Sequence, residues 1–478
     1  MTSLTLNGNL FWEFLTALEA RLSPFKGKFM GGAAHFRIVI VASLAGILFG
    51  FDTAVIAGIT HALRDTFSLS PASLGAAVSA ALWGTLLGAL IAGGPGDRYG
   101  SRDVLRVVGL LYVISALGCA LAWSIASFVV CRFIAGLAIG ASSVLAPVYL
   151  AEIAPAKRRG AQVGLFQLNI VIGILLAYAS NFCVAQFVIG PEAWRYKLAV
   201  SALPALIFSV LMLTIPNSPR WLAAKARLAE AESSLRRLGS RDPRGELNGF
   251  AISHEPHGMR AQRLSWTVHR RPIVLAFGLA CLNQLSGINA VLYYLGDIFA
   301  AAGFDAWSAD LQSVAIGATN LAATMAGIAL LDRLGRRTLM LIGSVGTTLA
   351  LFGVAVVMAN HAPRACLLPL LIAFIASFAI SQGAVIWVYL SEIFPIEVRA
   401  RGQSLGSATH WIFNALIAGT FPVVAAHSKS LPFVFFAIMM TLQFIAAFFL
   451  MPETRGVPLE HMSTMLGTTD RADARRNM

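Results

Sequence analysis

Charge is what this chain has least of. Asp, Glu, Lys and Arg make up 12% of its 478 residues, against about a quarter in a typical soluble domain. With 57% apolar residues and a mean hydropathy of +0.73, it is not a soluble globular protein. Acidic residues are scarcer than basic ones, 23 against 36, which leaves a net charge of +13. A nucleic-acid footprint would need that excess gathered on one surface. Here it is scattered over loops and tails, so no nucleic acid is expected as a partner. Cysteine is scarce too. The five (Cys119, Cys131, Cys183, Cys281, Cys366) sit in or at apolar stretches without CxxC spacing, which indicates neither a disulfide framework nor a metal site. They read as small apolar packing residues. Neither a Walker-type phosphate loop nor a hydrolase signature occurs, so the sequence marks neither a nucleotide-driven machine nor an enzyme.

What is abundant is long apolar runs. Twelve fall at about residues 38–61, 72–94, 104–124, 127–150, 161–185, 198–215, 273–301, 309–331, 338–359, 366–390, 402–426 and 431–451, each near the roughly 20 residues that a bilayer-spanning helix needs. They lack period-2 alternation, and a backbone without water must close its hydrogen bonds internally, so each run predicts a helix. The expected fold class is an all-α membrane protein of twelve transmembrane helices, with the lipid bilayer as its surroundings. The first run lies behind 37 residues of mixed character and is not a cleavable signal sequence. Thirty of the 36 basic residues fall on the side that holds both termini. The opposite loops hold Arg64, Arg195, Lys197, Arg364 and Lys429, and Arg132 lies inside span 4. The positive-inside rule then places both termini in the cytoplasm.

The chain reads as a duplication. Asp97-Arg98-Tyr99-Gly100 follows span 2 and Asp332-Arg333-Leu334-Gly335 follows span 8, an offset of 235. Glu152-Ile153-Ala154-Pro155 with Arg159 ends span 4 and Glu392-Ile393-Phe394-Pro395 with Arg399 ends span 10, an offset of 240. Pro216 to Arg220 closes span 6 and Pro452 to Gly456 closes span 12, an offset of 236. Two parallel six-helix halves are expected, related by an axis along the membrane normal. The domains are then an N-terminal tail (1–37), a first half (38–215), a cytoplasmic helical linker (216–271), a second half (272–451) and a C-terminal tail (452–478). Within the linker, Trp221–Leu238 has the pattern of an amphipathic helix, followed by turn-rich sequence. Residues 10–22 read either as a helix on the membrane surface or as a frayed tail.

From about residue 38 to 460 the sequence resembles the sugar porter family of the major facilitator superfamily. The resemblance rests on Gly46-Ile47-Leu48-Phe49-Gly50-Phe51-Asp52 in span 1, Arg132-Phe133-Ile134-Ala135-Gly136 in span 4 and Pro155 to Gly160 after it. It rests further on Gln284-Leu285-Ser286-Gly287-Ile288-Asn289 with Tyr293-Tyr294 in span 7, and on Pro452 to Gly456. Each motif alone is weak; all of them in order on a duplicated chain are specific.

Charged groups deep in a bilayer are costly and therefore few. Asp52 lies roughly 13 Å below the outer end of span 1 at the helical rise, and Arg132 reaches a similar depth from span 4. Their pairing has two readings: a fixed salt bridge between spans, or a proton switch. Burial disfavours a carboxylate and a nearby guanidinium favours it, so moving Arg132 would load or release a proton. The resemblance implies that an Asp here does this work in proton-coupled members, whereas facilitative members tend to carry Asn. A second set is polar and uncharged: Gln167 in span 5, Asn283, Gln284 and Asn289 in span 7, Asn320 in span 8, Trp387 in span 10, and His410, Trp411 and Asn414 in span 11. An amide offers one donor group and one acceptor, which matches a hydroxyl, and a site of such groups rejects substrates that lack the hydroxyls. Asn and Gln also bond helices to one another in membranes, so interhelical glue is the competing reading for each residue singly. The resemblance puts the central sugar site on these spans.

The family pattern is broken at five places. Asn283 stands where paired glutamines usually begin, and His410 where Gln or Asn is usual. Ala384 stands where a Pro is common, which leaves local unwinding of span 10 without its usual cause. Ser101 replaces an Arg and Asn217 a Glu in the cytoplasmic charge cluster that, by resemblance, holds the inner gate shut. That cluster retains Asp97, Arg98, Arg102, Glu152, Arg158 and Arg159 in one half, with Asp332, Arg333, Arg336, Glu392 and Arg399 in the other. Solvated, topology-setting loops are the alternative for its arginines.

The expected function is secondary active import of a monosaccharide or polyol by proton symport through alternating access. The expected partners are that substrate, protons and lipid. The proton gradient is the energy source, with no cofactor or metal, and a single chain is the functional unit in a plasma (inner) membrane. A facilitative uniporter, a transporter-like nutrient sensor and a carrier of a non-sugar solute are the alternatives.

Overall fold

The computed structural model describes residues 32–155, 159–253, 264–395 and 398–455. The expected N-terminal surface helix (10–22), Arg158, the side chain of Arg159 and the tail from 456 lie outside the described residues. Among the described residues, twelve helices are long and apolar enough to cross a bilayer. They are α1 (Ala33–Val55), α2 (Pro71–Ile91), α3 (Ser101–Ala120), α4 (Ile125–Ile153), α5 (Arg159–Phe187), α6 (Ala193–Ala199 and Ala202–Met212), α7 (Trp266–Leu285 and Ile288–Tyr293), α8 (Ala306–Leu334), α9 (Arg336–Met358), α10 (Leu367–Ile380 and Gln382–Glu392), α11 (Arg399–His427) and α12 (Leu431–Leu450).

Local chemistry explains several helix ends. Ser70 accepts from the Ser73 amide with Pro71 next in line. Ser124 and Ser127 form a reciprocal capping box, and Asp305 accepts from the Ser308 amide. Each supplies an acceptor for an amide that the first turn leaves unpaired. Inside the bundle, small residues set the closest approaches. Gly84 and Gly88 on α2 face Gly136 and Gly140 on α4, and Gly46 and Gly50 on α1 face the α5 backbone at Phe166 and Ile170. A side chain there would collide with carbonyl oxygens, the small-xxx-small logic of helices in lipid. The glycines of the 46–52 motif thus bring α1 onto α5 and aim Asp52 inward.

The two halves meet through α2 against α11 and α5 against α8. Their cores are unequal at the two ends. At the face away from the linker (the far face), one buried cluster draws residues from both halves, including Val55, Tyr178, Trp194, Tyr294, Phe374 and Phe421. At the linker face each half has its own core, around Tyr149 and Phe208 in the first and Tyr389 and Phe394 in the second. The halves are therefore joined at the far face.

Four sequence expectations are corrected here. Span 6 begins at Ala193 rather than 198, so Arg195 and Lys197 are helical and not in a loop. The single linker helix 221–238 is two helices, Pro219–Ala224 and Leu228–Arg237, parted at Ala226, whose φ of 59° interrupts the helix. The turn-rich sequence beyond holds a third helix, Pro243–Ser253. In α10 the break falls at Ser381 (φ −108°, ψ −88°), so this span is interrupted without the proline.

Candidate functional site

The duplicated markers occupy matched positions. Gly100 and Gly335 both have φ of 87°, the left-handed region that glycine tolerates, where they start α3 and α9.

Asp52 and Arg132 meet. Arg132 Nη1 donates to both carboxylate oxygens at 2.9 Å, with the arginine 3% and the aspartate 9% exposed. The pair borders a small cavity also lined by Thr53, Ile56, Val78 and Tyr293. Tyr293 comes from the second half, so this cavity lies where the halves meet.

The polar set largely converges on Gln284, next to the α7 break. At that break Gly287 has φ of 77°, and a side chain there would strike the Phe436 ring. Gln284 Oε1 accepts from Asn289 Nδ2 at 2.9 Å. Its Nε2 donates to Asn283 Oδ1 at 3.0 Å and faces the His410 ring nitrogens at 3.0 and 3.1 Å. An amide NH₂ against the ring suits a neutral imidazole, since an imidazolium would set donor against donor. Trp387 lies 4.9 Å from His410 and Trp411 5.2 Å, and Phe49 of the first half stands 5.8 Å from Trp411 (ring centroids). Asn414 Nδ2 donates to the Tyr293 hydroxyl at 3.3 Å, which ties the polar set to the wall of the Asp52 cavity. Asn283 Nδ2 and Asn414 Oδ1 are buried without a hydrogen-bond partner. One is a donor and the other an acceptor, the complement of a hydroxyl. Gln167, half-buried on α5, and Asn320, buried on α8, stand outside this hydrogen-bonded set.

At the linker face, each of the following contacts stays within one half. In the second half, Arg336 donates to Glu392 at 2.9 and 3.2 Å and to Asp332 at 3.2 Å. Glu453 accepts from the Arg336 and Arg337 amides at 2.9 and 3.0 Å, and Thr454 donates to Glu392 at 2.6 Å. The Arg333 carbonyl accepts from Arg455, and Arg399 donates to the Phe394 carbonyl at 3.3 Å. In the first half, Arg102 and Arg106 pair with Asp103 at 2.9 and 3.0 Å. Asn217 donates to Asp103 at 3.4 Å. The Asp97 carbonyl accepts from Trp221 Nε1, and the exposed Arg98 lies over Tyr99. Glu152 Oε2 is buried without a hydrogen-bond partner. Ser101 occupies the repeat position of Arg336, so no guanidinium reaches Glu152 from that position; a Ser218 hydrogen bond and the charge of Arg220 act on its carboxyl instead. Sequence reasoning missed Asp103, Glu453 and Thr454, although the repeat pairs Glu453 with Asn217 and a first-turn acid such as Asp103 suits a helix N-terminus. Among the described residues, no group of three or more His, Cys, Asp or Glu is placed to hold a metal ion.

A family model described as "Sugar (and other) transporter" matches residues 38–466. The chain belongs to the sugar porter family of the major facilitator superfamily. This sugar porter is 32% identical over 467 residues to the D-xylose-proton symporter of Escherichia coli K12, covering 90% of this chain and 95% of the relative. It is 33% identical over 448 residues to the galactose-proton symporter of the same organism, covering 91% and 95%. Among solved structures it is similar to the inward open conformation of the xylose transporter XylE from E. coli, with a TM-score of 0.80 at 31% identity over 90% of this chain and 99% of that one. It is also similar to the proton:xylose symporter XylE bound to 6-bromo-6-deoxy-D-glucose, with a TM-score of 0.72 at 32% identity over 91% and 99%.

Proposed function

We propose that this sugar porter carries a monosaccharide or related polyol into the cell together with a proton. The observation that carries this reading is the adjacency of two unlike sites. One is a buried carboxylate–guanidinium pair. The other is a ring of amides, a neutral-type imidazole and indoles, with a free donor at Asn283 and a free acceptor at Asn414. Tyr293 touches both. Hydroxyls of a sugar would complete the second site, and Trp387 or Trp411 would cover its apolar face. Gln167 and Asn320 would add contacts from the neighbouring helices, and Asp52 would carry the proton.

The distribution of basic residues supports a cytoplasmic linker face with both termini on that side, in a plasma (inner) membrane. The far face is then external, and the joined far-face core corresponds to a state closed to the outside. In that state Arg132 donates to both oxygens of Asp52 and takes the place a proton would occupy. When the halves rock to open outward, parting the pair would let Asp52 take a proton from outside. Residues 38–215 and 272–451 act as the two rocking units around a linker at 216–271, and one chain suffices for the cycle. The proton gradient supplies the work. The test is uptake by proteoliposomes holding the purified chain. With an inward proton gradient, D-xylose or D-galactose should accumulate above the external concentration. Accumulation that ignores the gradient, or sugar that only equilibrates, would overturn the proton-coupled reading.

A further inference from the structure

Lys197 and Asp310 are a buried ion pair outside the site just described. Lys197 Nζ lies 2.9 Å from Asp310 Oδ2 and donates to the Gly58 carbonyl at 3.0 Å. The side chains are 9% and 12% exposed. Three elements meet there: the helical turn after α1 and the start of α6 from the first half, and the start of α8 from the second. Asn181 fills the space where a Gly58 side chain would stand, so the carbonyl is held in place by packing. The surroundings are the far-face core, where Tyr178 donates its hydroxyl to the Leu292 carbonyl across the halves at 2.9 Å.

A second cross-half pair, Arg64–Asp297, is longer at 3.8 Å. Asp297 Oδ2 and Arg64 Nε are buried there without hydrogen-bond partners. Lys197–Asp310 is thus the well-formed contact of the two. In both pairs the cation comes from the first half and the anion from the second.

We propose that Lys197, Asp310 and the Gly58 carbonyl form the latch that closes the far face, and that the latch opens once in every transport cycle. The placement suits the task. Desolvation offsets most of the attraction in a buried pair, so the intact latch is directional without being strong, whereas a single unpaired charge left in its place is costly. On opening, both ions return to water, and nothing is left uncompensated in the open state. The latch rests on the alternating-access reading for its cycle, but its test needs neither sugar nor a proton gradient, so the two can fail separately.

The test uses the full chain with its five cysteines replaced and one reporter, Ile56→Cys, on the cavity wall. A membrane-impermeant maleimide is added from the far side of oriented vesicles. Asp310→Asn leaves the ammonium unpaired in the closed state only, so labelling should speed up by about tenfold, the population shift that a modest differential destabilisation gives. Lys197→Met should act in the same direction. The neutral pair, Lys197→Gln with Asp310→Asn, keeps a donor for the Gly58 carbonyl and leaves no unpaired ion, so it should return labelling to within about twofold of the parent, whereas a protein that merely folded badly would not recover. Unchanged labelling in both single variants, or a neutral pair that labels as fast as they do, would overturn the latch.

Discussion

The unequal halves make Ser101→Arg a constructive test of how the charge cluster is built. In the second half Arg336 holds Glu392 at 2.9 and 3.2 Å and Asp332 at 3.2 Å. The first half keeps both repeat-related acids, Glu152 and Asp97, and Glu152 Oε2 is already buried without a hydrogen-bond partner. Hydrogen bonds to charged groups contribute about 1.5–3 kcal/mol each. Freezing an arginine side chain costs up to about 2 kcal/mol, so two new bonds should leave a net gain of about 1–4 kcal/mol. A domain of 150–250 residues, the size class of one half, shifts by about 2–4 °C per kcal/mol, so a melting temperature several degrees higher is expected. The assay is thermal unfolding in detergent of four proteins: the parent, Ser101→Arg, Glu152→Gln and the double variant. The gain should appear in the parent background and vanish in the Glu152→Gln background. An equal gain in both backgrounds, or no gain while Arg336→Ser costs nothing, would refute the reasoning.

Three further outcomes follow from the same geometry. Asn289→Ala removes a partner of Gln284 and a hydroxyl-matching amide. It should weaken sugar binding by about 1–3 kcal/mol, roughly 5- to 150-fold, as read by calorimetric titration. His410→Gln replaces one neutral donor–acceptor with another, so uptake of several sugars should be re-ranked while proton flux per sugar is unchanged. Gly287→Ala forces a side chain into a φ of 77° against Phe436 and should lower both melting temperature and uptake, by about 1–3 kcal/mol of strain for the first.

The spans and the duplication were legible because a bilayer demands long apolar runs and a repeat leaves markers at nearly the same offset, 235 to 240 residues. Asp52 and Arg132 were legible for a related reason: charges at matching depth have few alternatives to each other. What hid was whatever depends on a distant partner. Lys197 looks like a loop residue until Asp310, 113 positions away, neutralises it inside the fold. Arg195 likewise donates to the Ala120 and Ala122 carbonyls at the end of α3, so neither charge ends a helix. In the linker, the apolar pattern continues across Ala226 and conceals the break. For the site, the residue types pointed to hydroxyl recognition, but not to Gln284 as the hub, nor to Gln167 and Asn320 standing apart from it. Ser101 was visible as a departure from the family pattern. Its consequence, a carboxylate oxygen without a hydrogen-bond partner at Glu152, needed the fold.

Proton movement on addition of sugar, recorded for the parent and for Asp52→Asn in parallel, tests the central claim most directly. Vesicles without an imposed gradient are given D-xylose or D-galactose while external pH is followed, and exchange of labelled for unlabelled sugar is measured on the same preparations. The account predicts alkalinisation of the medium with the parent and none with Asp52→Asn, which should still exchange sugar because the residues proposed to bind its hydroxyls are untouched. Sugar-driven alkalinisation by Asp52→Asn, or sugar exchange by the parent without any proton movement, would contradict it.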